Sequence, residues 1–273
     1  MRHLVSLILI VFALLGPPAV AAELTLKGQL VQGGLVEGWT APDAEVLLDG
    51  KPVRVSPEGR FVFGFGRDHG AAAVLDVRHG GGRTERRALS VAARDYKIER
   101  IDGLPKRMVT PPKDVLQRIR AENARIAAVR AQDTEDYLLA SGWIWPAIGR
   151  VSGVYGSQRV LNGKPRRPHY GIDVAAPVGT PIVAPADGIV RMAEKNLYYT
   201  GGTVMLDHGH GIVSVFSHLK KVTVAVGQSL AQGETMGTLG ATGRATGPHL
   251  DWRINWFKER LDPGLLVGPM PTD

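Results

Sequence analysis

Apolar and polar positions alternate along most of this chain, and one central stretch breaks the rule. From Leu24 to about residue 100 the period is two. AEVLLDGKPVRVSPEGRFVFGFG (44–66) places apolar residues on one side of successive short runs, with turn signals at Asp49-Gly50 and Pro57-Glu58-Gly59. AAAVLDVRHGGGRTERRALSVAAR (71–94) reads as two further strands around a Gly-rich turn. Five to seven strands in so short a segment predict a small β-sandwich over residues 23–102.

The pattern then changes period. GLPKRMVTPP (103–112) is a Pro-punctuated linker. In KDVLQRIRAENARIAAVRAQDTEDYLL (113–139), Val115, Ile119, Ile126 and Val129 recur at roughly helical spacing among Ala and charged helix formers. One amphipathic helix of five to seven turns is predicted, connecting two domains across residues 103–141. From about Trp143 strands return, cut by Gly and Pro at short intervals. Val178-Gly179-x-x-Ile182 and Val226-Gly227-x-x-Leu230 echo each other. Residues 142–265 therefore predict a compact antiparallel β barrel or sandwich, which makes the chain mostly β. A lipoyl or biotin carrier domain has the same texture, but no lysine stands at a convincing hairpin tip.

Alternation is complete at the end of this region. Leu250, Trp252, Ile254 and Trp256 take one face of a strand, and His249, Asp251, Arg253 and Asn255 the other. ATGRATGP (241–248) before it reads as an approach loop at a groove rim.

The N-terminus and the charge narrow the setting. MRHLVSLILIVFALLGPPAVAAE (1–23) has a basic start, an apolar run and a small-residue end. This is the pattern of a secretory signal peptide over residues 1–22, cut after Ala21 or Ala22. The run is short for a membrane span and no second run replaces it, so no integral membrane segment is expected after cleavage. The chain has no cysteine, so core packing alone must hold an exported protein together. A formal charge of +7 suggests an anionic partner. Export and the lack of a basic cluster interleaved with aromatics argue against nucleic acid. An anionic polymer of the cell envelope fits better.

Five of the eight histidines follow residue 165: His169, His208, His210, His218 and His249. A metal site is the natural question. In HYGID (169–173) an extended chain puts His169 and Asp173 on the same side, and both are good zinc ligands. In FSHLK (216–220) His218 falls at a strand-to-turn junction. His208 and His210 lie in the turn DHGHG and read as turn or supporting residues.

HYGID, FSHLK and GRATGPHL occur in that order, with GTPIVAPADGIV between the first two. This ordered set resembles the lysostaphin-type (LytM-like) zinc metallopeptidases of bacterial cell walls, over roughly residues 143–262. The resemblance implies zinc ligation by His169 and Asp173 and catalysis by His218 and His249. The family's last motif is H-x-H, whose second histidine is the third ligand; here that position is Asp251. A carboxylate is a competent ligand, but it is shorter and adds negative charge. Two carboxylates and one imidazole would neutralise Zn²⁺, acidify a bound water less, and lean slightly toward Mn²⁺ or Fe²⁺.

The implied function is a metal-dependent endopeptidase that hydrolyses peptide cross-links in periplasmic peptidoglycan. The alternative is a weakened or inactive domain that binds peptidoglycan or regulates another wall hydrolase. Arg253, Asn255 and Tyr170 are candidate substrate contacts, with Arg166 and Arg167 weaker ones. The N-terminal module is a candidate surface for a second cell-wall protein.

Overall fold

The computed structural model describes residues 23–103 and 113–271. The expected signal peptide and, apart from Gly103, the expected linker lie outside the described residues.

The alternating N-terminal segments form two antiparallel sheets. One contains β1 (Thr25–Gly28), β2 (Leu35–Trp39) and β5 (Arg60–Gly64), in that order. The other contains β3 (Glu45–Leu48), β4 (Lys51–Val53), β6 (Ala72–Arg78) and β7 (Thr84–Ser90), in the order β4-β3-β6-β7. Asp49-Gly50 closes the β3–β4 hairpin, and both residues have positive φ (47° and 74°). Two-residue turns of this kind match the right-handed twist of the strands they join. Phe61, Phe63, Phe65, Leu75 and Val77 are fully buried in the core of this module.

Helix α1 (Leu116–Arg130) follows a short 3-10 turn over Lys113–Val115. Its 15 residues make about four turns, fewer than the spacing predicted. The chain leaves the helix axis because polar residues beyond it are bound elsewhere. Asp133 accepts from Arg54, and Thr134 donates to Asp207. The apolar stripe holds: Ile119, Ile126 and Val129 are buried, and the last two join Met192, Leu197, Met205, Val213 and Val215 in one cluster.

The remaining strands are β8 (Ile98–Ile101), β9 (Arg150–Gly153), β10 (Gln158–Leu161), β11 (Lys164–Pro165), β12 (Ile172–Ala175), β13 (Pro181–Val183), β14 (Gly188–Leu197), β15 (Gly201–Asp207), β16 (Ile212–Val222), β17 (Ser229–Leu230), β18 (Thr235–Leu239), β19 (Leu250–Trp256) and β20 (Glu259–Leu261). Ten of them make one sheet with the path β17-β14-β15-β16-β19-β12-β9. The β13–β18 pair joins the far end of β16, and β20 joins β19. Trp252, Phe216, Val174, Leu250 and Ile254 fill the core beneath it.

The two halves are joined by more than the helix. β8 pairs in parallel with β10. Arg94 bonds Asp262 at 2.8 Å, and Arg67 donates to the Gly156 carbonyl. Leu35 and Val62 of the first module are part of the same apolar core as Trp252.

His208 is completely buried in this framework. Its Nδ1 lies 2.6 Å from the Asp187 carbonyl and its Nε2 2.8 Å from Ser214 Oγ. Burial pushes its pKa down to about 4, despite the bond to Asp187 that acts the other way. The unfolded chain therefore binds this proton first as pH falls. Stability should drop by about 3 kcal/mol between pH ~6.5 and ~4 from this group alone. Urea unfolding across that window should show the loss. His208→Gln should remove about one proton from the pH dependence.

Candidate metal centre

The site is assembled by strand register. Asp173 on β12 pairs with Asp251 on β19, and Asp251 pairs with Ser217 on β16. Directly opposed residues share a face, so three polar side chains form a row across three strands. His249 precedes β19 by one residue and falls on the face of Asp251 by alternation. His169 enters from the segment before β12, where its N–H bonds the Ser157 carbonyl and its carbonyl accepts from Gly156.

His218 reaches this face by a distortion. Phe216 points into the core and Ser217 to the site, so regular alternation would return His218 to the core. Instead the β15–β16 register shifts between Gly202 and Val204, and His218 takes φ 69°. A left-handed backbone at a non-glycine residue is rare and costs about 1–3 kcal/mol. Its N–H bonds the Thr200 carbonyl, and Thr242 fixes the ring. The His218 ring centroid is then 4.7 Å from that of His249.

The protonation of both rings follows from their partners. His218 Nδ1 lies 2.8 Å from the Thr242 carbonyl, and His249 Nδ1 lies 2.9 Å from the Gly247 carbonyl. A carbonyl only accepts, so each Nδ1 carries a hydrogen, and in the neutral form of either ring the lone pair is on Nε2. His249 Nε2 is 3.9 Å from Asp173 Oδ1. Burial pushes the His218 pKa down, which keeps that ring neutral at pH 7.

The donor set fits a divalent metal. One ligand atom from each of His169, Asp173 and Asp251 lies within 4.8 Å of the others. His169 Nε2 and Asp173 Oδ1 are 3.2 Å apart, both buried and both without a hydrogen-bond partner among the described residues. Two donors of a tetrahedral zinc, each about 2.1 Å from it, stand about 3.4 Å apart. Buried polar atoms without partners are costly, and two of them turned on each other are the signature of donors arranged for a cation. Ser217 Oγ, in the same row, is also buried without a partner. Only the strand register reveals that serine; nothing in FSHLK alone singles it out.

Asp251 has a second partner. Arg253 Nε donates to both of its oxygens, at 2.8 and 3.1 Å, and Nη2 donates to Oδ2. Burial raises the Asp251 pKa, but the guanidinium outweighs it and holds the carboxyl well below the usual range. Space for this fork comes from Gly171, whose added Cβ would fall on the Trp252 carbonyl and the Arg253 stem. Gly153 likewise leaves room for the Asp173 carboxylate.

The other expected contacts divide. Arg253 stands on the site face but is committed to Asp251. Asn255 is corrected: it is fully buried, donates to the Val213 carbonyl and accepts from Arg260, so it cannot touch a substrate. Tyr170 is half-buried and Arg167 exposed beside the site. His208 and His210 lie apart from it, bonded to Asp187, Ser214 and Glu135.

One antiparallel sheet thus carries this donor set and two oriented imidazoles. Residues 167–263 match the model of peptidase family M23. A Pseudomonas aeruginosa protein of known structure, described as a peptidase M23, is 30% identical with a TM-score of 0.66, covering 88% of this chain and 96% of its own. This chain belongs to peptidase family M23. Peptidoglycan DD-endopeptidase ShyA of Vibrio cholerae is 41% identical over 87 residues, 32% of this chain and 20% of that protein. Cell division protein DipM of Caulobacter vibrioides is 30% identical over 164 residues, 59% of this chain and 25% of that protein. The chain thus matches only a fifth to a quarter of the length of these two curated relatives.

Asp251→Ala would strand the Arg253 charge. The expected cost is about 2 kcal/mol, below the usual figure for a fully buried pair because the Arg253 side chain is 33% exposed. Asp251→Ala/Arg253→Met should recover most of it. Denaturant unfolding of the metal-free protein measures both.

Proposed function

We propose that this protein is an exported, zinc-dependent endopeptidase acting on peptide cross-links of peptidoglycan in the periplasm. Residues 142–265 form the catalytic unit and residues 23–102 an accessory module that positions it on the wall or on a second wall protein. The observation that carries the reading is the meeting of His169, Asp173 and Asp251 beside the His218–His249 pair. The M23 family membership supports it, as does the ShyA relative, named as a DD-endopeptidase.

In this reading His169, Asp173 and Asp251 hold the zinc. The chemistry supplied there is Lewis-acid polarisation of a peptide carbonyl and activation of water at neutral pH. His218 and His249 present unprotonated Nε2 atoms toward the same space. One accepts a proton from the attacking water at Nε2 and returns it to the leaving amine; the other steadies the oxyanion once its own Nε2 has taken up a proton from solvent.

Arg253 changes the meaning of Asp251. A carboxylate in place of a neutral imidazole adds one negative charge, which alone would blunt a zinc centre. The forked guanidinium returns one positive charge. The Asp251–Arg253 unit is then neutral overall, like the imidazole it stands for, and the full site with a divalent ion keeps a net charge of +1. The same fork favours a second reading, a wall-binding or regulatory domain, because it engages both Asp251 oxygens.

Metal analysis and muropeptide release from cross-linked peptidoglycan separate the readings. The peptidase reading expects about one zinc per chain. His169→Ala and Asp173→Ala should lose the metal. His218→Ala and His249→Ala should keep it and lose at least about 100-fold in turnover. A chain that neither binds zinc nor releases muropeptides would leave the wall-binding domain. Asp251→His should bind zinc more weakly than Asp251→His/Arg253→Met, because the single change leaves Arg253 uncompensated beside the ion. Competition with a chromogenic chelator measures that order.

A further inference from the structure

The face that carries the metal-site candidates continues past Asp251 into a group of cations. Arg253 pairs in register with Val215, and Asn255 with both Val213 and Arg260. Val213 and Val215 are also the floor of the cluster that seats helix α1 through Ile126 and Val129. The helix therefore stands on the site face of the sheet, and its last residue, Arg130, follows Val129 off that floor within electrostatic range of Arg253, Arg260 and Arg167.

This group is short of negative charge. Arg253 is matched by Asp251. Arg260 donates to the neutral Asn255 amide, and Glu259 offsets its charge in part. Arg130 has a buried Nε without a hydrogen-bond partner. Burial and the charges of Arg260, Arg253 and Arg167 push the Arg130 pKa down to about 9, and among the described residues no carboxylate opposes them. Arg260 is pushed down to about 10 by burial, Arg253 and Arg167. An arginine in the last turn of a helix is ordinary. The half-buried guanidiniums of Arg130, Arg253 and Arg260, gathered from separate segments against their mutual repulsion with exposed Arg167 at their edge, are not. Fixed cations held this way are pre-organised for an anion, and guanidiniums match the planar fork of a carboxylate.

We propose that Arg130, Arg260 and Arg167 form a subsite for a carboxylate of the substrate peptide, next to the bond placed at the His169–Asp173–Asp251 centre. The proposal rests on the peptidase reading for the identity of the ligand, but not for the existence of the anion site. It makes helix α1 part of substrate recognition, and it gives the positive charge of the chain a local purpose.

Titration calorimetry on the zinc-loaded mature chain tests it with two probes. One is a wall stem tetrapeptide with a free C-terminal carboxylate; the other is the same peptide as its C-terminal amide. The acid is expected to bind about ten- to a hundredfold tighter, the gain of a charge-assisted contact. Arg130→Met, Arg260→Met and the exposed, structurally harmless Arg167→Met should each lower that ratio and leave the affinity for the amide and the zinc content unchanged. Equal binding of acid and amide, binding of neither, or a ratio untouched by Arg130→Met and Arg167→Met would overturn the subsite. A preference for the acid without muropeptide release would retain the subsite and remove the peptidase reading. Muropeptide release without any preference would do the reverse.

Discussion

Cross-strand register is the constraint from which the rest of this structure follows. Side chains of β12, β19 and β16 meet only because Asp173, Asp251 and Ser217 are opposed in one row. A slip of one residue in β19 would turn Asp251 and Arg253 into the core and bring Trp252 and Ile254 onto the site face. The burial of Trp252, Phe216 and Leu250 makes such a slip expensive, so the apolar face fixes the polar one. Packing energy on one side of the sheet thereby positions chemistry on the other. The two glycines facing this row, Gly153 and Gly171, are the counterpart: they supply the space that charged side chains need at close range.

Local order along the chain was legible where it follows from a short repeat. The alternation of Leu250, Trp252 and Ile254 against His249, Asp251 and Arg253 predicts both faces of β19, and Asp49-Gly50 predicts its hairpin. The stripe of Ile119, Ile126 and Val129 predicts a helix, though not its length, because residues 133 and 134 are drawn off by Arg54 and Asp207 from distant segments. HYGID, FSHLK and GRATGPHL identify the segments that meet. What they do not contain is the manner of meeting. His218 reads as the end of a strand, yet β16 runs on to Val222, and the left-handed backbone at His218 accompanies a register shift against β15.

Pairing rules across distance account for the remainder. Asn255 reads as an exposed polar residue on a polar face, yet β20 and helix α1 close over that end of the strand. The fork of Arg253 onto Asp251 is a two-residue neighbour contact that alternation permits and does not require. The arginines at 130, 167 and 260 carry no motif and come from three segments. Their grouping is a property of the sheet and of the helix laid across it. Composition registers them only as surplus charge.

The parallel pairing of β8 with β10 has a mechanical meaning. β10 begins at Gln158, one residue after Ser157, which holds the His169 backbone on either side through Gly156 and Ser157. The pairing therefore fastens the first module, by main-chain bonds, to the very segment that seats His169.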